Sequence, residues 1–428
     1  MNGRRKNDLF LIDEAHNLIE RARGMYSASV AKSDILALRR KLKGMKGNES
    51  FNRGKDKLIS QLTKLNQILL DWKGEHFTII EIKQHEAPMG QMTHLRFAMD
   101  HLRELCAREQ ILLPEEFWNL YFDVSHFQNM FELMDERFCL YVQTGRRGKV
   151  SLHLYCLDPS VMLSSYLLQG RATVFYSATL LPIPYYEKLL TSSDKIYDMY
   201  AESPFDPDHL LILIGEDVTS LYKERSEAMY RNYARYITRA VQAHAGHYIV
   251  YFPSYHFMEQ VYRYLPHSED DHFNWMAQQP DMTEQEKERF LEEFERHSEN
   301  ETLVGLCVLG GAFAEGIDLT GQKLIGVIII GTGIPQVGNR LNLTQRYFDQ
   351  LDMDGFSYTY VYPGFNKVMQ AVGRVIRTAK DVGFALLLDT RFSQRRYRRL
   401  FPREWQRIET CRLETVTGKL EDFWGDQS

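Results

Sequence analysis

Cysteine is scarce in this 428-residue chain, which has five, and no two form a Cys-x-x-Cys pair. Cys106, Cys139, Cys156, Cys307 and Cys411 are scattered and odd in number. That argues against a disulfide framework and reads as reduced thiols of a cytoplasmic protein. No apolar run is long enough to span a membrane, so no membrane partner is expected. The basic stretch Met1 to Lys6 runs straight into a strand pattern, without a signal-peptide profile. A dominant charge sign is missing too: 52 Lys and Arg against 57 Asp and Glu give a net charge of -5. This balance does not announce a nucleic-acid binder, yet local basic patches escape such a sum. Internal repeats are absent.

What is present describes a folded globular chain. It is 44% hydrophobic and 25% charged, with 24 Tyr and 24 Phe. Its length exceeds one ordinary core and predicts two or three domains.

Asp8 to Ile12 is a short apolar run ending in Asp13-Glu14, the pattern of a buried parallel strand with functional residues at its carboxyl end. From about Val30 to Ser165 the pattern turns helical. Leu58, Leu62, Leu65, Leu69 and Trp72 form one apolar seam, and Pro114 to Glu136 carries a core stripe of Phe, Leu and Met. Ser33 is expected as an N-cap, Pro114 as a first helical residue, and Gly44 and Gly74 near helix C-termini. Gly44 to Asp56 reads as a loop. After Arg171, strands are expected at 173–176, 248–252, 303–309, 324–330 and 384–388, several of them separated by helices. One such helix opens at Thr283 with the capping box Thr283-x-x-Glu286. Alternating strands and helices predict an α/β fold with a mostly parallel sheet.

Five constellations carry candidate chemistry. Asp13-Glu14-Ala15-His16 places two acids at a strand end, where one can hold Mg²⁺ and the other can orient an attacking water. Ser177-Ala178-Thr179 sets small hydroxyls at the next strand end. Tyr251 to Tyr255 is a strand-to-helix junction whose hydroxyls and amides can touch a phosphate backbone. Gly310 to Leu319 is glycine-rich, which lets backbone approach a phosphate or sugar, and it includes Gly316 and Asp318. Gln370 to Arg377 spaces Arg374 and Arg377 three apart, so on a helix they share a face with Gln370 and can stabilise phosphate charge. Taken singly, the first four also fit ordinary strand ends, caps and turns.

In this order the five segments resemble motifs II to VI of superfamily-two helicases, the last in its XPD/DinG form. The long helical segment between the first two resembles that family's Arch domain. The resemblance runs from Asp8 to about Trp405 and implies a RecA-like fold. It would divide the chain into a remnant of a first motor domain (1–29), an Arch-like insertion (30–165), the end of the first motor domain (166–205) and a second motor domain (206–428).

The function it implies is ATP-dependent 5′ to 3′ translocation on single-stranded DNA. Asp13 would bind Mg²⁺ through water and Glu14 would activate the hydrolytic water. His16 would couple the nucleotide site to Ser177 and Thr179. Arg374 and Arg377 would reach the γ-phosphate, with Gln370 beside them. Gly316 and Asp318 would link nucleotide state to DNA, and Phe252, Ser254 and Tyr255 would face nucleic acid. The basic residues Lys32, Arg39, Arg40, Lys41, Lys43 and Lys46 could line a DNA path or form a solvated helix face. The tail Arg395, Arg396, Arg398, Arg399 and Arg403 has the same two readings.

One departure stands out. The family's Gly-x-x-x-x-Gly-Lys-Ser/Thr phosphate loop is missing, since the three Gly-Lys pairs are followed by Asp56, Val150 and Leu420. The family's four iron–sulfur cysteines, like that loop, precede the DEAH box. The expectation is therefore a truncated motor that does not hydrolyse ATP alone. Two alternatives stay open: a non-catalytic module that binds nucleic acid or a protein partner, and a DEAH-type RNA helicase. The sequence sets no oligomeric state; a monomer is the simplest expectation.

Overall fold

The computed structural model describes residues 7–75, 78–83, 86–267, 273–296, 301–311, 313 and 324–427. In chain order the main elements are β1 (Leu9–Ile12), α1 (Leu18–Met25), β2 (Ala28–Ala31), α2 (Lys32–Gly44), α3 (Glu49–Asp71), β3 (Ile79–Glu81), α4 (Glu86–Glu109) and α5 (Glu115–Phe131). Next come β4 (Phe138–Thr144), β5 (Val150–Cys156), α6 (Ser160–Leu167), β6 (Ala172–Phe175), α7 (Ile183–Leu190), β7 (Leu210–Gly215), α8 (Glu227–Gln242), β8 (His247–Phe252) and α9 (Tyr255–Tyr262). The remainder is β9 (Phe273–Ala277), α10 (Glu284–Arg296), β10 (Thr302–Val308), β11 (Gly326–Ile330), α11 (Asn339–Gln350), α12 (Tyr362–Val372), β12 (Gly383–Leu388), α13 (Arg395–Arg398), β13 (Ile408–Cys411) and α14 (Val416–Asp426).

Two compact units divide the chain: Met1–Ser177 with Glu187–Lys195 and Val337–Gly355, and Ala178–Tyr186 with Ile196–Gln336 and Phe356–Ser428. This partition differs from the domain limits expected above, because the segment holding α11 clusters with the first unit.

In the first unit, β1 pairs in parallel with β6. The strand was expected to be buried, but Leu9 and Leu11 are 64% and 68% exposed. Among the described residues nothing covers that face, so alternate side chains meet solvent. The segment between these strands holds the expected long helices and, beyond that helical reading, an antiparallel sheet, β2-β5-β4-β3. The seam Leu58, Leu62, Leu65 and Leu69 is buried, as are Phe117, Leu120, Val124 and Phe127 of α5. These residues and the sheet's inward side chains form one core.

Local details correct several expected caps. Ala31, not Ser33, precedes α2, and the Ser33 hydroxyl bonds to Asp34. Pro114 is the N-cap of α5 rather than its first residue. The expected loop ends at Asn48, whose side chain accepts from the Phe51 amide and starts α3.

The second unit is built on a seven-stranded sheet, β13-β7-β12-β11-β8-β10-β9, with every neighbouring pair parallel. Its central strands are continuous apolar runs because both faces are covered. Alternation along β7 shows this: Leu211 and Leu213 join a core with α8, α9 and α14, while Ile212 and Ile214 join another with α10 and α12. The fold is α/β and RecA-like, a twisted parallel sheet between helical layers. The expected strands form within one or two residues of their predicted limits. The Thr283 capping box is present, with the Thr283 amide donating to Glu286 at 2.7 Å and the Glu286 amide to Thr283 at 3.3 Å.

Candidate functional site

Strand β1 delivers Asp13 and Glu14 to its carboxyl end, and pairing continues beyond the strands. The Tyr176 amide donates to the Ile12 carbonyl at 3.0 Å, and the Ala15 amide to the Tyr176 carbonyl at 3.2 Å. Glu14 itself adopts a left-handed conformation, φ 49° and ψ 42°, which is uncommon for a residue with a side chain. Its amide donates to the Asp13 carboxylate at 2.8 Å.

That kink brings three side chains together. The Ser177 hydroxyl donates to Glu14 Oε2 at 3.0 Å and lies 2.8 Å from His16 Nδ1. With its single proton directed to Glu14, Ser177 accepts from His16, which places a proton on Nδ1. His16 Nδ1 also stands 3.2 Å from Glu14 Oε2. His16 is almost fully enclosed whereas the Glu14 side chain is 64% exposed, so a fixed imidazole holds a carboxylate that faces solvent. Asp13 is exposed beside it. Two adjacent carboxylates match the small protein share of a typical Mg²⁺ site, where waters and substrate phosphates fill the other positions.

The first segment after β6 divides between the units. Ser177 belongs to the first, and Thr179 to the second. Thr179 is buried, and its carbonyl accepts from Asn366 of α12 at 2.7 Å. The other hydrogen of that amide goes to the Tyr186 hydroxyl, also at 2.7 Å. Asn366 was not identified from sequence, because its partners are far away in the chain.

In the second unit, β8 and β10 lie side by side with Tyr251 opposite Cys307 and Phe252 opposite Val308. The Phe252–Tyr255 and Gly310 segments therefore leave adjacent carboxyl ends of the sheet. Phe252 is fully buried in the core, so the expected nucleic-acid contact there is corrected: an apolar side chain at the last pleat of a covered strand points inward. Ser254 caps α9 by accepting from the Phe257 amide at 3.2 Å. Tyr255 is half-buried, and burial raises its phenol pKa. Gly310 has φ 78°, and a Cβ there would meet Lys367 of α12, 2.8 Å from its Nζ. Gly316 and Asp318 lie outside the described residues.

The Gln370–Arg377 segment departs from the single helix face expected for it. Helix α12 ends at Val372 with Gly373 as C-cap, so Gln370 is helical while Arg374 lies in the following turn and Arg377 beyond it. Arg374 is 8% exposed and close enough to Tyr251 and Cys307 for its charge to oppose the burial that raises both their pKa values. It thus sits at the carboxyl edge of the sheet. Arg377 is exposed, and its backbone is held by Asp381, which accepts from the Arg377 amide at 2.8 Å and from the Thr378 amide at 2.7 Å. The Thr378 hydroxyl adds a third bond at 2.8 Å.

Basic residues elsewhere are partly committed. Lys41 pairs with Glu116 at 3.3 Å, and Arg396, Arg398 and Arg403 lie over the rings of Phe356, Phe401 and Tyr200. All five cysteines are free thiols, and burial pushes Cys106 up to about 11 and Cys139, Cys156 and Cys411 to about 12. Dispersed protonated thiols do not fit an iron–sulfur cluster. Among the described residues, no group of three or more His, Cys, Asp or Glu is placed to hold a metal ion, and no helix is long and apolar enough to cross a membrane.

Residues 237–408 match the family model of the helicase C-terminal domain. The ATP-dependent DNA helicase XPD of Sulfolobus acidocaldarius is 30% identical over 183 residues, covering 42% of this chain and 31% of that protein. The general transcription and DNA repair factor IIH helicase subunit XPD/RAD3 of Saccharomyces cerevisiae is 24% identical over 329 residues, covering 71% of this chain and 41% of that one. The chain thus spans less than half the length of these relatives. Among solved structures, S. tokodaii Xpd4 matches with a TM-score of 0.61 at 16% identity, covering 94% of this chain and 75% of that one.

Proposed function

For a chain that belongs to the XPD-like superfamily-two helicases, we propose a role in an ATP-dependent motor that translocates 5′ to 3′ on single-stranded DNA. The observation that carries this reading is the Glu14–Ser177–His16 cluster, which joins the first two motif segments at the adjacent ends of β1 and β6. In the proposed roles Asp13 and Glu14 share Mg²⁺, which would neutralise charge on the nucleotide phosphates. Glu14 orients the attacking water, and His16 and Ser177 hold Glu14 in place. Arg374 and Arg377, with Gln370, supply positive charge to a phosphate, and Thr179 reports on that region through Asn366. Gly316 and Asp318 are proposed to connect nucleotide state to DNA, and Ser254 and Tyr255 to approach the strand.

Because no Gly-Lys pair in these 428 residues continues as a phosphate loop, the chain alone is proposed to be inactive as an ATPase. Its DNA contacts do not depend on that loop. Titration of the chain with single-stranded DNA and RNA of equal length, at several salt concentrations, tests the reading. Tighter DNA binding that weakens with salt supports it; preference for RNA favours a DEAH-type RNA helicase, and absence of binding to either contradicts both.

A further inference from the structure

A cavity of about 280 Å³ opens in the first unit between α1, β2, β4, β5 and the start of α11. Arg340, Arg23, Ser29, Tyr141, His153 and Tyr155 line it. Its volume is close to the lower end of ordinary small-molecule sites, roughly 300 Å³. It therefore has room for about one nucleotide, free or within a strand.

The charges around it are unequal. Arg23 is 4% exposed and is held by Glu20 at the rim, 2.6 Å away, and by the Leu157 carbonyl at 3.2 Å. His153 stacks on Tyr141 with centroids 4.9 Å apart and bonds to Ser151 at 2.7 Å. Burial, and then the charge of Arg340, push its pKa down to about 4, so it is neutral near pH 7. Glu20 and Arg23 offset each other. Arg340 is exposed and, among the described residues, makes no hydrogen bond or ion pair; its guanidinium lies 5.4 Å from the centre of the Tyr155 ring. A guanidinium whose contact is an aromatic face keeps its in-plane N–H donors available, and those donors match a phosphate in fork geometry.

We propose that this cavity binds one nucleotide: Arg340 pairs the phosphate, and the wall of Ser29, Tyr141 and Tyr155 receives the sugar and base. The nucleotide belongs either to a nucleic-acid strand, a version that rests on the function proposed above, or to the free pool.

The test uses the full chain. Fluorescence anisotropy measures binding to labelled oligo-dT of about 20 nucleotides, and saturation-transfer NMR measures binding of dTMP, with inorganic phosphate as a competitor in each. Arg340→Ala should weaken oligo-dT binding roughly tenfold and lower the slope of log affinity against log salt by about one. Arg340→Lys should recover part of the affinity, and Arg108→Ala, on the exposed side of α4, should change nothing. Wild-type binding to oligo-dT with Arg340→Ala unchanged in affinity and slope would overturn the cavity assignment and leave the DNA reading intact. Arg340-dependent binding of dTMP without oligo-dT binding would keep the cavity as a free-nucleotide site and contradict the DNA reading. Failure of both ligands, or phosphate alone reproducing all of the dTMP signal, overturns the nucleotide assignment.

Discussion

Asn366 donates one amide hydrogen to the Thr179 carbonyl at 2.7 Å, tying the segment after β6 to the helix that leads into Arg374 and Arg377. The bond is buried, and its partner bond to Tyr186 closes the second donor of the same amide. Replacing Asn366 by Ala removes both and should cost about 2–3 kcal/mol. Thermal denaturation should show a midpoint lower by roughly 2–4 °C. A midpoint within a degree of wild type would show that α12 is anchored without Asn366.

Asp381 fixes the backbone on which Arg377 stands. Its carboxylate accepts from the Arg377 and Thr378 amides and the Thr378 hydroxyl, and its side chain is buried. Asp381→Ala should leave these donors without that acceptor, with a loss of about 2–3 kcal/mol. Hydrogen exchange at 377–378 should accelerate while β12 keeps its protection. Unchanged exchange there would remove Asp381 from the account of how Arg377 is positioned.

His153 predicts a pH dependence of stability. Burial lowers its pKa in the folded chain from 6.5 to about 4. Below pH 6.5 the unfolded chain takes up a proton that the folded chain refuses, so stability falls as pH drops from there towards 4 and levels off below it. The full effect is on the order of 3 kcal/mol. Comparing wild type with His153→Gln from pH 7.5 to about 4 should show this component vanish in the variant. Parallel pH profiles would contradict the burial of a neutral imidazole.

The central strands of the second unit were readable because β8, β10, β11 and β12 are apolar runs with no polar face to confuse them. Strand β7, Leu-Leu-Ile-Leu-Ile-Gly, is equally apolar and is not among the expected strands, since a short continuous run carries no periodicity that separates strand from helix. The β4–β5 hairpin lies inside a stretch that reads as helical overall, yet Val150-Ser151-Leu152-His153-Leu154 alternates with period two and Gly145 and Gly148 flank the turn, so its signal is present but local. Gly373 follows the last residue of α12, but its φ of −62° is one any residue adopts, so the helix end that takes Arg374 and Arg377 off α12 is not a left-handed glycine stop legible in sequence. The left-handed Glu14 and the bonds of Asn366 and Asp381 arise from tertiary contacts, which a linear pattern does not carry.

Steady-state ATP hydrolysis by this chain with Mg²⁺ and single-stranded DNA, measured for wild type and Glu14→Gln, tests the central claim. The account predicts no DNA-stimulated turnover in either, because Asp13 and Glu14 are in place while no Gly-Lys pair supplies the phosphate loop. Robust turnover in wild type that Glu14→Gln abolishes would contradict it.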